Sequence, residues 1–155
     1  MTLNVRAGIK SDSDDIAKLI KQLAEEFIID EFNEAGRQHF LNSNNAKAIV
    51  GFMAHGFEYF VAEDSGEIVG TVGIRDNSHL YHLFVAKEYQ GKGLSRRLWE
   101  LAKVKCFENG NDGKFTVNSS NNAVGIYESF GFKRVAPMAE IKGVLYNPMV
   151  LEVSS

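Results

Sequence analysis

Two glycines, Gly91 and Gly93, follow an apolar run and precede a helical pattern that begins at Leu94. Glycines at such a junction let backbone N–H groups approach a ligand closely. The same N–H groups form the positive end of the helix dipole, which attracts phosphate or carboxylate. Arg96 and Arg97 add positive charge in the first helical turn. The segment therefore predicts an anion site, although such a turn taken alone is more often a plain strand-to-helix connection.

Two common phosphate-binding motifs do not fit this turn. A P-loop requires the pattern GxxxxGK[ST], which the chain lacks. The dinucleotide-binding pattern GxGxxG fits Gly91 and Gly93, but Arg96 occupies the position of its third glycine. The strand before the turn is also expected to be the third of an antiparallel meander, and not the first of a βαβ unit. Both motifs are therefore set aside.

Hydrophobic periodicity predicts the elements that position the turn. Three β-rich runs, separated by the polar connections DSGE and RDNSH, should form an antiparallel meander. A helix crossover then makes the next strand, residues 114–118, parallel to the third strand of the meander. In the crossover helix, residues 94–108, the expected central apolar stripe is Leu94, Leu98 and Leu101, and Trp99, Ala102 and Cys106 are expected to widen it. The three runs of the meander are residues 57–63, 68–74 and 79–86.

Further elements flank this unit on both sides in the chain. An N-terminal strand is followed by a helix that begins near residue 11 and by a second helical stretch. On the C-terminal side, a short helix ends at Gly131, because glycine is a good C-cap residue. The remaining expected elements are the first strand at residues 3–9, the second helical stretch at about 35–54, and two last strands at about 133–135 and 146–153.

Composition limits the possible partners. The 155-residue chain is expected to form one domain, residues 1–155, and its net charge of −3 argues against nucleic acid. Its one cysteine, Cys106, excludes an internal disulfide and a cysteine-rich metal site, and no metal is expected. No apolar stretch is long enough for a membrane span, and the N-terminal sequence lacks the apolar core of a signal peptide. The expected location is the cytoplasm, with no membrane partner.

The run LFVAKEYQGKGLS resembles the pyrophosphate-binding signature Q/R-x-x-G-x-G/A of the GNAT superfamily of N-acetyltransferases. Gln90, Gly93 and Ser95 fall on its key positions. Ser95 replaces the usual Gly or Ala, but it is small enough to allow close approach to the backbone. The run VNSSNNAVGIYESFGF resembles the second signature of that family, through Asn118, Tyr127 and the closing Gly-Phe pair. The order of elements is also similar, so the resemblance covers the whole chain.

The resemblance implies an α/β (α+β) fold with a mixed, mostly antiparallel sheet of six to seven strands. A parallel pair in that sheet is splayed, and about four helices flank the sheet. The implied co-substrate is acetyl-CoA, with its pantetheine arm between the splayed strands and its pyrophosphate on the glycine turn. The residues implied in binding it are Leu83, Phe84, Val85, Gln90, Gly91, Lys92, Gly93, Leu94, Ser95, Asn118 and Tyr127.

The resemblance also implies the catalytic residues. Tyr127 is the candidate general acid for the leaving thiolate, and a backbone amide at Leu83 or Phe84 would stabilise the carbonyl oxygen. His79 lies where some members carry a Glu or His that acts as the base, and a histidine without a catalytic role is the alternative. Strand alternation predicts His79, Tyr81 and Leu83 on one face and Leu80, His82 and Phe84 on the other, unless a bulge brings His82 into play.

The expected reaction is transfer of an acetyl group to a primary amine by direct attack in a ternary complex. The amine belongs to a small molecule, a peptide or a protein. By resemblance, its site is built from about residues 28–37 and 136–147, where Asp30, Glu31 and Glu34 would favour a cationic amine. Three possibilities stay open: a homodimer, a non-catalytic acyl-CoA-binding regulatory module, and an enzyme with a longer acyl donor.

Overall fold

The structure, a computed structural model, describes residues 3–153. Over these residues it contains eight strands and five α-helices, which is one strand and one helix more than expected. The helices are α1 (Ser13–Phe27), α2 (Glu34–Ser43), α3 (Ala46–Ala54), α4 (Leu94–Glu108) and α5 (Val124–Ser129). The strands are β1 (Leu3–Ala7), β2 (Glu58–Asp64), β3 (Glu67–Arg75), β4 (His79–Val85), β5 (Lys114–Ser119), β6 (Lys133–Arg134), β7 (Ala139–Ile141) and β8 (Val144–Glu152).

The sheet is mixed and mostly antiparallel, as expected. Its strand order is β1-β2-β3-β4-β5-β8-β6, and β7 pairs with β8. The meander β2-β3-β4 is antiparallel, and β4 and β5 form the parallel pair. That pair is short, because only His79 with Thr116 and Leu80 with Val117 are in register. Beyond these two positions β4 and β5 separate, while β5 pairs with β8 from Lys114 to Ser119. The sheet therefore opens between its two central strands.

Helices cover both faces of the sheet. On one face α4 contributes Leu98 and Trp99 to a core that also contains Phe115. On the other face Ile16 and Ile20 of α1 pack with residues of α3 and β2. Burying both faces of a central sheet in this way gives the two layers of core that hold β4 in place.

The bounds of α4 match the predicted helix, but the predicted stripe of that helix is partly wrong. Leu101 is 38% exposed, whereas Trp99, Ala102 and Cys106, which were expected to widen the stripe, are buried. Leu94 and Leu98 are buried as expected. With about 100° of rotation per residue, the buried arc passes through Ala102 instead of Leu101.

The second helical stretch is two helices. Asn45 ends the continuity, because its Oδ1 accepts the N–H of Ala48 (2.9 Å) as an N-cap. Asn44 Nδ2 donates to the carbonyl of Phe40 (2.8 Å) at the end of α2. The additional strand is β7, which forms a hairpin with the start of β8. Within residues 3–153, no helix is both long and apolar enough to cross a bilayer.

Candidate active site

A cleft of about 350 Å³ opens where β4 and β5 separate. One part of it, which we call the gap end, lies against these two strands, the start of α4 and α5. A second part, the helix end, lies against the C-terminal part of α1, the segment after it, α2, and the β7–β8 hairpin. The cleft lining includes eight of the residues that the sequence singled out: His79, Leu83, Phe84, Val85, Gln90, Ser95, Asn118 and Tyr127.

The glycine turn lies beside the gap end and leads directly into α4. Gly91 and Gly93 have φ of 76° and 82°, a left-handed conformation that favours glycine. An added Cβ at either position would meet no protein atom, so the space beside both glycines is open to a ligand. The first backbone donor of α4 is Arg97, whose N–H bonds to Gly93 O at 3.0 Å. The N–H groups of residues 94–96 therefore have no partner within the helix and face outward as an anion site would require.

Three side chains of this segment have structural contacts. Leu94 is buried in the core, so only its backbone is available to a ligand. Gln90 donates from Nε2 to the carbonyl of Val85 (2.9 Å), which ties the turn to the end of β4. Lys92 is exposed, with Nζ 6.0 Å from the centre of the Tyr89 ring, and it lines a neighbouring groove instead of the cleft.

Arg96 links the start of α4 to α5. Its guanidinium donates to Ser129 O (2.9 Å) and lies 5.1 Å from the centre of the Phe130 ring. α5 in turn carries Tyr127. The arginine therefore fixes the distance between the glycine turn and the tyrosine on the opposite side of the gap end.

β4 contains a β-bulge at Tyr81. Opposite it on β3, Gly73 pairs with His82 and Ile74 pairs with Leu80, so Tyr81 has no partner residue. An extra residue in one strand shifts the alternation of every side chain that follows it. Sequence alternation alone could not reveal this shift, because the bulge is set by pairing with β3.

Because of the bulge, the faces predicted for the side chains of β4 are wrong from His82 onward. Leu83 packs with Leu80 in the core beneath α4, and not on the face predicted for it. His82 and Phe84 lie on the opposite face, together with Tyr81. The ring centres of Tyr81 and His82 are 4.7 Å apart, which places two consecutive rings on one side of the strand.

His82 is held by a buried chain of hydrogen bonds. Asn44 uses its amide N–H on Phe40 O, so its Oδ1 accepts from His82 Nε2 (2.6 Å). His82 Nδ1 then accepts from the hydroxyl of Tyr59 (2.9 Å). Burial lowers the pKa of His82 from 6.5 to about 3. Because both ring nitrogens have partners and the ring is neutral, His82 braces α2 against β4 and has no free lone pair for a proton.

His79 lies at the first of the two paired positions of β4 and β5, one residue before the strands separate. Its Nδ1 is 2.7 Å from the hydroxyl of Thr116, and the side chain lines the cleft. Burial, with the nearby Arg75 guanidinium, lowers the pKa of His79 from 6.5 to about 4. The imidazole is therefore neutral at pH 7, and Nε2 has no partner among residues 3–153.

Tyr127 is the buried aromatic residue on the α5 side of the gap end. Its ring packs at steep angles against Phe130 and Phe132, with centroids 6.2 and 5.8 Å away. Burial raises the pKa of Tyr127 above its ordinary value of 10, so the phenol stays protonated at neutral pH. No described residue accepts a hydrogen bond from its hydroxyl, which leaves the proton available to the cleft.

The helix end combines the two segments that the resemblance implied for the acceptor site with residues that sequence reasoning did not identify. From residues 28–37 and 136–147 come Ile28, Phe32, Ile141, Val144, Leu145 and Tyr146. The residues outside those segments come from other parts of the chain and include Phe27 of α1 and Phe40 of α2, with His39 and Asn44 on other walls. No periodic pattern or motif marks them, because their proximity depends on how α2 packs against β8. Asp30, Glu31 and Glu34, which were expected to attract an amine, do not line it. Within residues 3–153, no three His, Cys, Asp or Glu side chains are grouped as ligands for a metal ion.

The sequence of this chain was compared with models of known protein families. The family model described as "Acetyltransferase (GNAT) domain" matches residues 13–153. The chain therefore belongs to the GNAT family of acetyltransferases, whose general chemistry is acyl transfer. No curated protein matches it in sequence.

Solved structures with low sequence identity share the fold. The PaiA N-acetyltransferase of Thermoplasma acidophilum, in complex with coenzyme A, has a TM-score of 0.81 at 14% identity, with 99% of this chain and 100% of that chain covered. YncA of Salmonella typhimurium, with its cofactor acetyl-CoA, has a TM-score of 0.72 at 19% identity, over 98% and 94%. A GNAT acetyltransferase of Staphylococcus aureus has a TM-score of 0.73 at 16% identity, over 97% and 99%.

Proposed function

We propose that this protein is a single-domain N-acetyltransferase that transfers an acetyl group from acetyl-CoA to a primary amine. The observation that carries the proposal is the opening of β4 from β5 after two paired positions, with a glycine turn at one side and Tyr127 at the other. Similar structures contain coenzyme A or acetyl-CoA, which supports the same ligand here.

The unpaired edge of β4 supports a place for the pantetheine arm. The N–H of Ala86, the residue after β4, donates to the carbonyl of Val69 in β3 (2.8 Å). Because backbone groups alternate in direction along a strand, the N–H groups of Leu83 and Val85 then point away from β3, toward the gap. An extended ligand can bind there as an additional strand. Of the two amides considered from the sequence, this direction favours Leu83 over Phe84.

The glycine turn supports a place for the pyrophosphate. Its free N–H groups and the positive end of α4 attract an anion, and no side chain of Gly91 or Gly93 holds the ligand away. The backbone of Gln90 is partly used, because its N–H donates to Lys87 O (3.2 Å). The binding role of the turn therefore rests mainly on residues 91–96.

The proposed reaction is direct attack of the neutral amine on the thioester carbonyl. A C–N bond forms, and the carbonyl oxygen becomes negative and accepts a hydrogen bond from Leu83 N–H. When the tetrahedral intermediate collapses, the C–S bond breaks and the sulfur leaves with the electron pair. Tyr127 donates its phenolic proton to that sulfur. The proton lost by the amine finally restores the phenol, through solvent.

His79 is the proposed first acceptor of the amine proton. It is neutral and lines the cleft, which suits a base, while its low pKa makes it a weak one. His82 does not compete for this role, because Tyr59 and Asn44 occupy both of its nitrogens. A water molecule bound to His79 can carry the same proton.

An acceptor screen tests the proposal. Purified protein is incubated with acetyl-CoA and a panel of small amines and peptides, and both free thiol and acetylated amine are measured. Equal amounts of both products are expected. Tight acetyl-CoA binding with no acetylated amine from any class would favour a regulatory module, and turnover only with longer acyl-CoA would favour another donor.

A further inference from the structure

The walls of the helix end are apolar and rich in aromatic rings. They come from α1, the segment after it, α2 and β8, and they can surround a flat hydrophobic group on several sides. Aromatic side chains contribute large contact areas and favour offset or edge-on packing with another ring. Six of the lining residues are Phe27, Phe32, Phe40, Val144, Leu145 and Tyr146.

The cleft contains no carboxylate for a cationic group. Among residues 3–153, neither Asp, Glu nor Lys is found in its lining. The nearby acidic residues have contacts elsewhere: Asp30 lies 3.9 Å from Arg37, and Glu31 accepts from Asn121 (3.0 Å). An ammonium group that enters the cleft is therefore desolvated without a counter-charge, which favours its neutral, nucleophilic form. A polyamine with several positive charges finds no carboxylate in this lining to pair with.

Arg75 is the charged side chain that lines the cleft. It stands at the end of β3, opposite His79, and its guanidinium lies 5.7 Å from the centre of the Tyr81 ring. Its ion pair with Asp76 is long (3.7 Å) and exposed, and such pairs hold a guanidinium weakly. The guanidinium can therefore also bind a ligand carboxylate in a bidentate ion pair, to which it donates two parallel N–H···O hydrogen bonds.

The spacing along β4 limits the length of such a ligand. Leu83 is four residues from His79, which at about 3.3 Å per residue is about 13 Å, less the shortening by the bulge. The guanidinium of Arg75 lies 5.7 Å from the centre of the Tyr81 ring, and Tyr81 is only two residues, about 7 Å, before Leu83. A carboxylate at Arg75 and an amine near Leu83 N–H are therefore separated by roughly the length of one aromatic ring.

We propose that the acceptor is a hydrophobic, ring-containing primary amine with a carboxylate at its far end. The ring packs in the helix end, Arg75 binds the carboxylate, and the amine reaches the thioester at the gap end. This inference rests on the proposed acetyl transfer and specifies its acceptor.

Matched amines test the inference directly. kcat/KM with acetyl-CoA is measured for 4-(aminomethyl)benzoate, benzylamine, phenylalanine and spermidine. The first compound should exceed benzylamine by about tenfold, because one charge-assisted pair distinguishes them. It should also exceed phenylalanine, whose amine and carboxylate are adjacent, and spermidine. A preference for spermidine, or equal rates for the first two amines, would overturn the inference.

Substitution of Arg75 assigns the effect to one side chain. Arg75→Gln should reduce the ratio of 4-(aminomethyl)benzoate to benzylamine by about tenfold, and Arg75→Lys should keep part of it. Arg134→Gln, at an exposed position on β6, is the control and should keep the ratio unchanged. An unchanged ratio in Arg75→Gln would remove Arg75 from acceptor binding.

A binding measurement separates this inference from the proposed reaction. Calorimetry with 4-(acetamidomethyl)benzoate and CoA-loaded protein reports the acceptor site without turnover. If no amine is acetylated but this ligand binds and Arg75→Gln weakens it, the reaction fails and the site stands. If amines are acetylated but this ligand binds equally to both proteins or to neither, the site fails and the reaction stands.

Discussion

The gap end and the helix end of the cleft are built in different ways. The gap end uses backbone groups and glycines from two short segments, and its opening follows from the early separation of β4 and β5. The helix end uses side chains from α1, the segment after it, α2 and the β7–β8 hairpin, far apart in the chain. A backbone-lined end suits a ligand part that is the same in every turnover, whereas a side-chain-lined end suits selection among acceptors. Mutations at the two ends should therefore have separable effects.

The largest effect is expected at the glycine turn. Gly93→Asp places a negative charge where the pyrophosphate is proposed to bind, and like charges at close range cost several kcal/mol, or about 10²- to 10³-fold in affinity. Calorimetric titration with CoA measures the loss. Gly93→Asn introduces a side chain of similar size at the same positive φ but no charge, so it measures the effect of backbone strain alone. Gly110→Asp, with φ of 95° and open space around it, is the matched control at the other end of α4. Unchanged affinity in folded Gly93→Asp would rule out the turn as the pyrophosphate site.

Tyr127→Phe should separate chemistry from binding within the gap end. It keeps the ring and its packing but removes the proton donor, so kcat should fall by about 10²-fold while CoA affinity changes little. Steady-state kinetics and calorimetry measure the two quantities. Tyr89→Phe, which removes a hydroxyl outside the cleft, should keep kcat. If Tyr127→Phe retains full kcat, the tyrosine is not the acid.

His79→Gln tests whether the histidine between the two ends accepts the proton of the amine. Because the pKa of His79 is lowered to about 4, its neutral form predominates above that pH. Once kcat/KM is expressed per neutral amine, its acidic limb should therefore lie near 4 and not near 6.5. Loss of a weak base should reduce kcat about tenfold near pH 7 and remove that limb. His82→Gln should keep the limb. If the limb survives in His79→Gln, water accepts the proton without help from this side chain.

A smaller effect is expected at the wall of the helix end. An added Cβ at Gly36 of α2 would overlap the carbonyl of Gly143 in the β7–β8 turn, so Gly36→Ala must push the two elements apart. We expect a loss of about 1–3 kcal/mol in the free energy of unfolding and a higher KM for the amine. The affinity for CoA should stay the same. Gly51→Ala, whose Cβ meets open space, is the control, and a changed CoA affinity in Gly36→Ala would show that the ends are coupled.

The last prediction concerns the pH dependence of stability. The pKa of His82 is about 3 in the folded state, below its ordinary 6.5, so the unfolded state binds more protons in between. Stability that is present above pH 6.5 should therefore be lost progressively as the pH falls toward 3. His82→Gln can keep both hydrogen bonds and should flatten this decline in denaturant titrations, while His55→Gln, at an exposed position, should not. An equal decline in wild type and His82→Gln would exclude His82 as its source.

The two ends also differ in how far the sequence predicted them. The gap end was largely accessible, because glycines, strand periodicity and the helix start are local features, and the bounds of α4 agree with the prediction. The bulge at Tyr81 was foreseen only as an alternative, since it depends on the register with β3. The helix end was predicted in part, because residues 28–37 and 136–147 contribute to its lining, whereas Phe27, His39 and Phe40 were not foreseen. The break between α2 and α3 has a local cause that was overlooked, the N-cap of Asn45. The hairpin of β7 and the outward direction of Asp30 follow from tertiary packing, which no local pattern encodes.

The central claim is direct acetyl transfer in a ternary complex, and two-substrate kinetics test it most directly. Initial rates are measured over a matrix of acetyl-CoA and 4-(aminomethyl)benzoate concentrations, with CoA thiol and N-acetyl product quantified in each reaction. We predict intersecting lines in double-reciprocal plots and one N-acetyl product for each thiol released. Parallel lines, which indicate an acetylated enzyme, or thiol release without N-acetyl product would contradict the account.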